Sequence, residues 1–207
     1  KETVMELLKG IDDNEWIYWC IDDRYPIVLQ TKKFEKIVKQ LPKLGNEVRG
    51  VLLHRYRGLL LKSAVNKKEK FNIGDIHFFK KVEYGGVWSH QFIRAGFIRE
   101  FFGEMPDKMA FAKIMDDYVV GRKLSNDANL YVSKKNCAIY GESTSRGKIT
   151  KNCQESFLEK NLDVPTGFEL SNKIHLIGSL VGSDLQDDQW PTKGIKNKVK
   201  KFLYQDS

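Results

Sequence analysis

Aromatic side chains interleaved with basic ones are the residues here whose types and spacing could do chemistry. Tyr56 stands between Arg55 and Arg57. Trp16, Tyr18 and Trp19 cluster near the start, and Trp88 follows the Gly85-Gly86 pair. An aromatic ring can hold an unstacked or flipped base by stacking, while lysines and arginines track the phosphate backbone. On that chemistry the candidate phosphate contacts are Arg49, Arg55, Arg57 and Lys62, with Lys32, Lys36 and Lys39 beside them. The candidate base contacts are Trp88, Trp19 and Tyr56. Trp88 leads, because a tryptophan in a glycine-flexed loop is more open to solvent than one in a strand. Ordinary core packing competes with this reading, and most strongly for Trp16 and Trp19.

Other chemistries leave no comparable signature. The chain has no glycine-rich phosphate loop, no HExxH and no nucleophile elbow. His54, His77, His90 and His175 are scattered without ligand spacing, so no metal site is nominated. His77 lies inside an apolar run and is expected to be a buried or half-buried, hydrogen-bonded histidine. A metal-dependent nuclease needs an Asp followed across a strand by Glu-x-Lys. Asp75 opens a strand, but neither Glu83 nor Glu100 has a lysine two residues on. Asp116-Asp117 and Asp187-Asp188 could hold a hard cation, although a solvated loop or helix end accounts for both. Cys20, Cys137 and Cys153 form no CxxC pair, which argues against a disulfide framework and for a reducing, cytoplasmic setting. No catalytic residue and no cofactor is nominated.

The charge is unevenly placed. Residues 1–30 carry three Lys or Arg against seven Asp or Glu, whereas residues 31–70 carry twelve against three. The net charge of +8 therefore sits largely in one forty-residue stretch, with a second basic cluster at the C-terminus. Such asymmetry points to a polyanionic partner, with a solvated lysine-rich surface as the bland alternative. A hydrophobic content of 41% is enough for a sizeable core, and 207 residues fit a single domain over 1–207, with 193–207 as an appended basic helix. No apolar window is long enough to span a membrane, and KETVMELLKG lacks the apolar core of a signal peptide.

The elements that must position these residues follow from periodicity. Residues 2–9 suit a short helix with Val4, Leu7 and Leu8 on one side. Glu15–Asp22 suits a strand apolar on both faces, ended by Asp22-Asp23 and Pro26. Thr31 is the expected N-cap of a helix over 32–41, where Phe34, Ile37, Val38 and Leu41 fall at i, i+3, i+4 and i+7 and the lysines lie opposite. Val48–Arg55 and Leu59–Val65 are expected to form a hairpin or one bent strand, followed by a charged loop at 66–70 and a strand region over 71–84. Residues 89–102 read as a strand with a bulge at Gly96, ahead of a helical alternative. Pro106-Asp107 opens a helix to about Tyr118. Leu130–Ser133 and Cys137–Gly141 suit a hairpin, 141–152 a mobile loop, and 154–161 a short helix. Short strands follow at 168–170 and 173–178. In Lys193–Tyr204 the stripe Ile195, Val199 and Phe202 is ringed by lysines.

The run KFNIGDIHFFKK, with its Gly74-Asp75 turn, followed by HQFIRAGFIRE, resembles the centre of PUA-like β-barrels of the EVE and ASCH type. B3-like DNA-binding barrels share the Gly-Asp before an aromatic strand. The resemblance covers residues 70–100. It implies an aromatic-lined pocket that binds RNA or reads a modified base, with Trp88 and the aromatics near Trp16 lining it. The expectation is thus an α+β fold, a small mixed β-barrel or strongly bent sheet flanked by amphipathic helices. Its function would be nucleic-acid binding, DNA ahead of RNA, as a restriction or defence recognition module alongside a catalytic partner domain or subunit. The alternatives are a metal-dependent nuclease or small transferase acting on a polyanion, and a protein-interaction module using a basic face.

Overall fold

The computed structural model describes residues 1–54, 65–81, 89–106, 129–174 and 176–177, and these form a mixed α+β fold. Its largest sheet has six strands in the order β1-β6-β3-β7-β5-β4: β1 (Trp16–Trp19), β3 (Gly50–Leu52), β4 (Val65–Ile73), β5 (Ile76–Lys81), β6 (Gln91–Arg94) and β7 (Leu130–Ser133). Only the β3–β7 pair is parallel. Alternation along the strands sends successive side chains to opposite faces, and each face is covered. Ile17, Trp19, Ile93 and Leu130 pack with α1 (Glu2–Leu7) and α3 (Ala95–Gly103), through Leu8, Phe97, Ile98, Phe101 and Phe102. Trp16, Val51, Phe78 and Phe92 pack on the other face with α2 (Thr31–Gln40), through Phe34, Ile37 and Leu41. This accounts for the two apolar faces of β1.

A second sheet has the order β12-β8-β2, from β2 (Arg24–Leu29), β8 (Ala138–Glu142) and β12 (Leu176–Ile177). A third is built from β9 (Thr144–Ser145), β10 (Lys148–Ile149) and β11 (Glu169–Leu170). The first two sheets meet at a seam. There the Cys137 and Ala138 amides both donate to the Leu53 carbonyl, at 2.7 and 3.2 Å, and the Tyr18 and Tyr140 hydroxyls lie 3.0 Å apart. Among the described residues no closed barrel is found, and β1 and β4 are the edges of the six-stranded sheet. Among them also, no helix is long and apolar enough to cross a membrane.

Several expectations are corrected. Residues 89–102 are not one strand: β6 ends at Arg94, an extended N-cap, and α3 begins at Ala95. Five apolar side chains of α3 are buried, at roughly 1.5–3 kcal/mol for each large one. That outweighs the ~1 kcal/mol helix cost of Gly96. The glycine serves packing instead of a bulge, since a Cβ there would meet Asp13 Cβ at 2.8 Å and its carbonyl oxygen at 3.0 Å. The charged run 66–70 is not a loop but lies within β4, bulged between Asn66 and Lys70. Asn66 holds the bulge: its Oδ1 accepts from the Lys68 amide at 3.0 Å and its Nδ2 donates to Glu69 at 2.7 Å. The following Gly74-Asp75 turn forms as expected, with Gly74 at φ +61°.

The expected hairpin over 130–141 does not form. β7 already has β3 and β5 as neighbours, so the chain crosses at Lys134–Cys137 and β8 joins the second sheet. β3 pairs with β6 and β7, and the second arm expected over 59–65 falls largely on residues 55–64, which lie outside the described residues. Pro26 does not interrupt the chain but sits in β2, an edge strand whose register shifts between Pro26 and Val28, where a missing N–H is tolerated. The polar stretch 141–152 contains the β9–β10 hairpin, turned by Arg146 and Gly147 at φ +53° and +76°. Thr150 then caps α4 (Lys151–Glu159), its side chain accepting from the Cys153 amide. Smaller shifts are that Gln30 and not Thr31 is the N-cap of α2, that Leu7 and Val38 are exposed, and that β11 and β12 join different sheets. The expected helices at 107–118 and 193–204 lie outside the described residues.

Candidate nucleic-acid interface

The helix that carries Lys32, Lys36 and Lys39 forms because its apolar stripe has a sheet to cover. Ile37 is fully buried and Leu41 nearly so, in one cluster with Ile73, Ile76 and Phe78, and this turns the three lysines outward to solvent. β4 lies next to this helix and presents Lys67, Lys68 and Lys70, all exposed. The helix and the strand thus each expose lysines from the basic stretch 31–70, with Lys70, opposite Phe79, on the sheet face away from α2. Two of the acids beside them are already used, while Glu35 stands exposed on α2 itself. Lys36 donates to Asp75 at 2.7 Å, holding that carboxyl below its usual range, and Lys80 does the same to Glu69 at 2.7 Å. Lys32, Lys39, Lys67, Lys68 and Lys70 form no ion pair among the described residues. β4 is also a sheet edge, and lysines there discourage edge-to-edge pairing whatever else they bind.

Of the other candidates, the two described ones, Arg49 and Trp19, lie elsewhere. Arg49 pairs with Glu100 at 2.7 Å and lies 5.0 Å above the Phe97 ring, on the α3 side of the sheet. Trp19 is half-buried and packs on Phe102 with ring centroids 5.5 Å apart, so its ring serves the core. Arg55, Tyr56, Arg57, Lys62 and Trp88 lie outside the described residues, as do Asp116-Asp117 and Asp187-Asp188. His77 is exposed and not buried, with Nδ1 2.7 Å from Asn72 Oδ1. Cys20 is exposed, and Cys137 and Cys153 are buried; burial pushes the thiols of Cys20 and Cys153 up, away from the reactive thiolate form. Among the described residues no three His, Cys, Asp or Glu side chains gather as a metal site.

Compared with known proteins, the chain matches no family model, no curated protein and no solved structure.

One group of polar residues escapes any reading of spacing. His54 and His90, far apart in the chain, flank the buried ring of Tyr140 at the seam. His90 stacks on it at 4.6 Å and His54 meets it edge-on at 5.9 Å. His90 Nε2 lies 3.2 Å from the Ile21 carbonyl and 3.1 Å from that of Arg24, and 3.4 Å from the Ile21 amide nitrogen, which tie the ring to the 21–24 segment. Burial, reinforced by Lys81, Arg24 and His90, pushes the His54 pKa down to about 3. Burial and the Tyr18 hydroxyl raise that of Tyr140. These groups are neutral at physiological pH, so they hold the seam and do not add to the lysine face. No sequence signal predicts their meeting, because the residues just after β3, the 89–90 segment and β8 come together only in the fold.

Proposed function

We propose that this chain is a nucleic-acid-binding domain, with DNA ahead of RNA as its ligand. The observation that carries the reading is that α2 and the neighbouring edge strand β4 both expose lysines, at Lys32 and Lys39 and at Lys67, Lys68 and Lys70, while Asp75 and Glu69 are held by Lys36 and Lys80. Lysine ammonium groups act as point charges on phosphates, and releasing condensed counterions drives binding irrespective of base sequence. Selectivity is assigned to an aromatic pocket that reads a modified or flipped base, with Trp88 as its leading residue. This finer part rests on the resemblance of residues 70–100 to PUA-like barrels and on the type and position of Trp88. It includes the expected small barrel, a cytoplasmic restriction or defence role, and a catalytic partner domain or subunit.

The experiment is fluorescence-anisotropy binding to labelled single- and double-stranded DNA and RNA, with modified and unmodified bases. Charge reversal at Lys32, Lys39, Lys67 and Lys68 is expected to weaken all sequences alike. Lys160→Glu, at an exposed position beyond α4, should change nothing. Trp88→Ala should erase discrimination between base states. Absence of binding to every probe, with retained binding to an acidic protein, would replace this reading with a protein-docking face.

A further inference from the structure

The three arginines of the α3 region are held in place in an unusual way. Arg49 and Arg99 each pair with a carboxylate, Glu100 and Asp13, but neither depends on it for orientation. Arg49 is stacked on Phe97 at 5.0 Å. Arg99 donates through Nη2 to the carbonyls of Leu8 at 3.0 Å and Ile11 at 2.7 Å, leaving Nη1 to Asp13. Arg94, buried beneath them, stacks 4.2 Å above the Trp16 ring and donates to the carbonyls of Asn14, Leu44, Gly45 and Val48. All three line a cleft of about 510 Å³ between α1, α3 and the Asp12–Glu15 turn. The two carboxylates are the exposed members: Glu100 is 48% and Asp13 68% exposed, against 24% and 31% for their arginines.

From this asymmetry we infer that the cleft is a binding site for a phosphate monoester, in which Asp13 and Glu100 are displaceable counter-ions. Solvent-exposed ion pairs contribute little, so releasing them is cheap. Guanidinium groups already oriented by a ring and by carbonyls lose little freedom on taking a new anion. A phosphate monoester carries close to two negative charges at neutral pH and three acceptor oxygens, which matches two guanidinium forks as a single carboxylate does not. The volume also suits one nucleotide. This inference does not rest on the lysines of α2, which covers the opposite face of the sheet, or of β4, its far edge strand.

The test is calorimetric titration of the full chain, read together with its arginine Nε–H resonances. The probes are inorganic phosphate, a 5′-mononucleotide, the corresponding nucleoside, and oligonucleotides with a 5′-phosphate or a 5′-hydroxyl end. Phosphate and the mononucleotide should bind and shift the Arg49 and Arg99 signals, whereas the nucleoside and chloride at equal ionic strength should not. Arg49→Gln should weaken binding about tenfold or more, as expected for losing a charge-assisted pair. Glu100→Gln, which leaves the arginine and its ring contact intact, should tighten binding by up to about fivefold. A gain for 5′-phosphorylated strands would identify the ligand as a nucleic-acid end; a gain confined to the mononucleotide would identify a free nucleotide. The inference is overturned if no arginine signal responds to phosphate, if the nucleoside binds as well as the mononucleotide, or if Glu100→Gln leaves phosphate affinity unchanged or lower.

Discussion

The lysine face and the histidine–tyrosine seam treat polar groups in opposite ways. On α2 and β4 the charges stand in water, weakly paired, on elements whose apolar sides do the folding. At the seam, His54, His90 and Tyr140 are nearly excluded from solvent and are kept neutral by burial. The physics differs accordingly. Surface charge changes long-range attraction and leaves stability almost untouched, whereas a buried polar group changes stability and leaves the outer field almost untouched. Function and architecture are therefore separable by mutation.

The largest expected effect is at the seam. Tyr140→Ala should cost about 3–5 kcal/mol, because the ring fills space between His54, His90 and the cluster beneath α2. Tyr140→Phe loses only the hydroxyl contact to Tyr18 and should cost about 0.5–1.5 kcal/mol. Urea denaturation of both variants checks the ratio; equal costs would mean that the hydroxyl pair and not the ring holds the seam.

Next is Gly96→Ala, expected to destabilise by about 1–3 kcal/mol through overpacking against Asp13, although alanine is the better helix former. A gain in thermal midpoint would show that the turn before β1 yields freely.

Acid titration gives the third test. The folded pKa of His54 lies near 3, below its ordinary 6.5, so the folded protein binds fewer protons than the unfolded chain between those values. The His54 contribution is fully present above pH 6.5 and is lost progressively as pH falls from 6.5 to about 3. His54→Gln should flatten the slope of stability against pH in that window. An unchanged slope would place the acid sensitivity elsewhere.

The smallest effect on stability belongs to the lysine face. Lys39→Glu or Lys67→Glu should change unfolding free energy by no more than about 0.5 kcal/mol, the range usual at open surface positions. A larger loss would mean that these lysines are structural.

The parts legible in the sequence were those set by local periodicity. The stripe Phe34, Ile37 and Leu41 announces α2, the two-faced pattern of Trp16–Trp19 announces β1, and Gly74-Asp75 marks the turn between β4 and β5. The errors arose where tertiary context overrides local preference. In α3 the aromatic and branched residues suit either element, and burial against α1 selects the helix. The run of charges in β4 conceals a strand whose apolar alternation resumes only at Phe71 and Ile73. β7 and β8 look like a hairpin because adjacency in sequence says nothing about which sheet each strand joins. The lysine face was half legible: Lys32, Lys36 and Lys39 follow from the helical wheel, whereas Lys67, Lys68 and Lys70 require knowing that β4 lies beside α2. Arg49 was singled out by charge, but its partners Phe97 and Glu100 belong to a helix read as a strand.

The central claim is that the lysines of α2 and β4 contact phosphate, and the most direct measurement is the salt dependence of nucleic-acid affinity. For the native chain, log Kobs should fall linearly with log salt concentration. Each lysine that contacts a phosphate should, on reversal, lower that slope by about one. The account predicts a slope that shrinks stepwise through Lys32→Glu, Lys39→Glu, Lys67→Glu and Lys68→Glu while the unfolding midpoint stays fixed. Binding whose slope is the same in the native chain and the fourfold variant, or no binding at low salt, would contradict it.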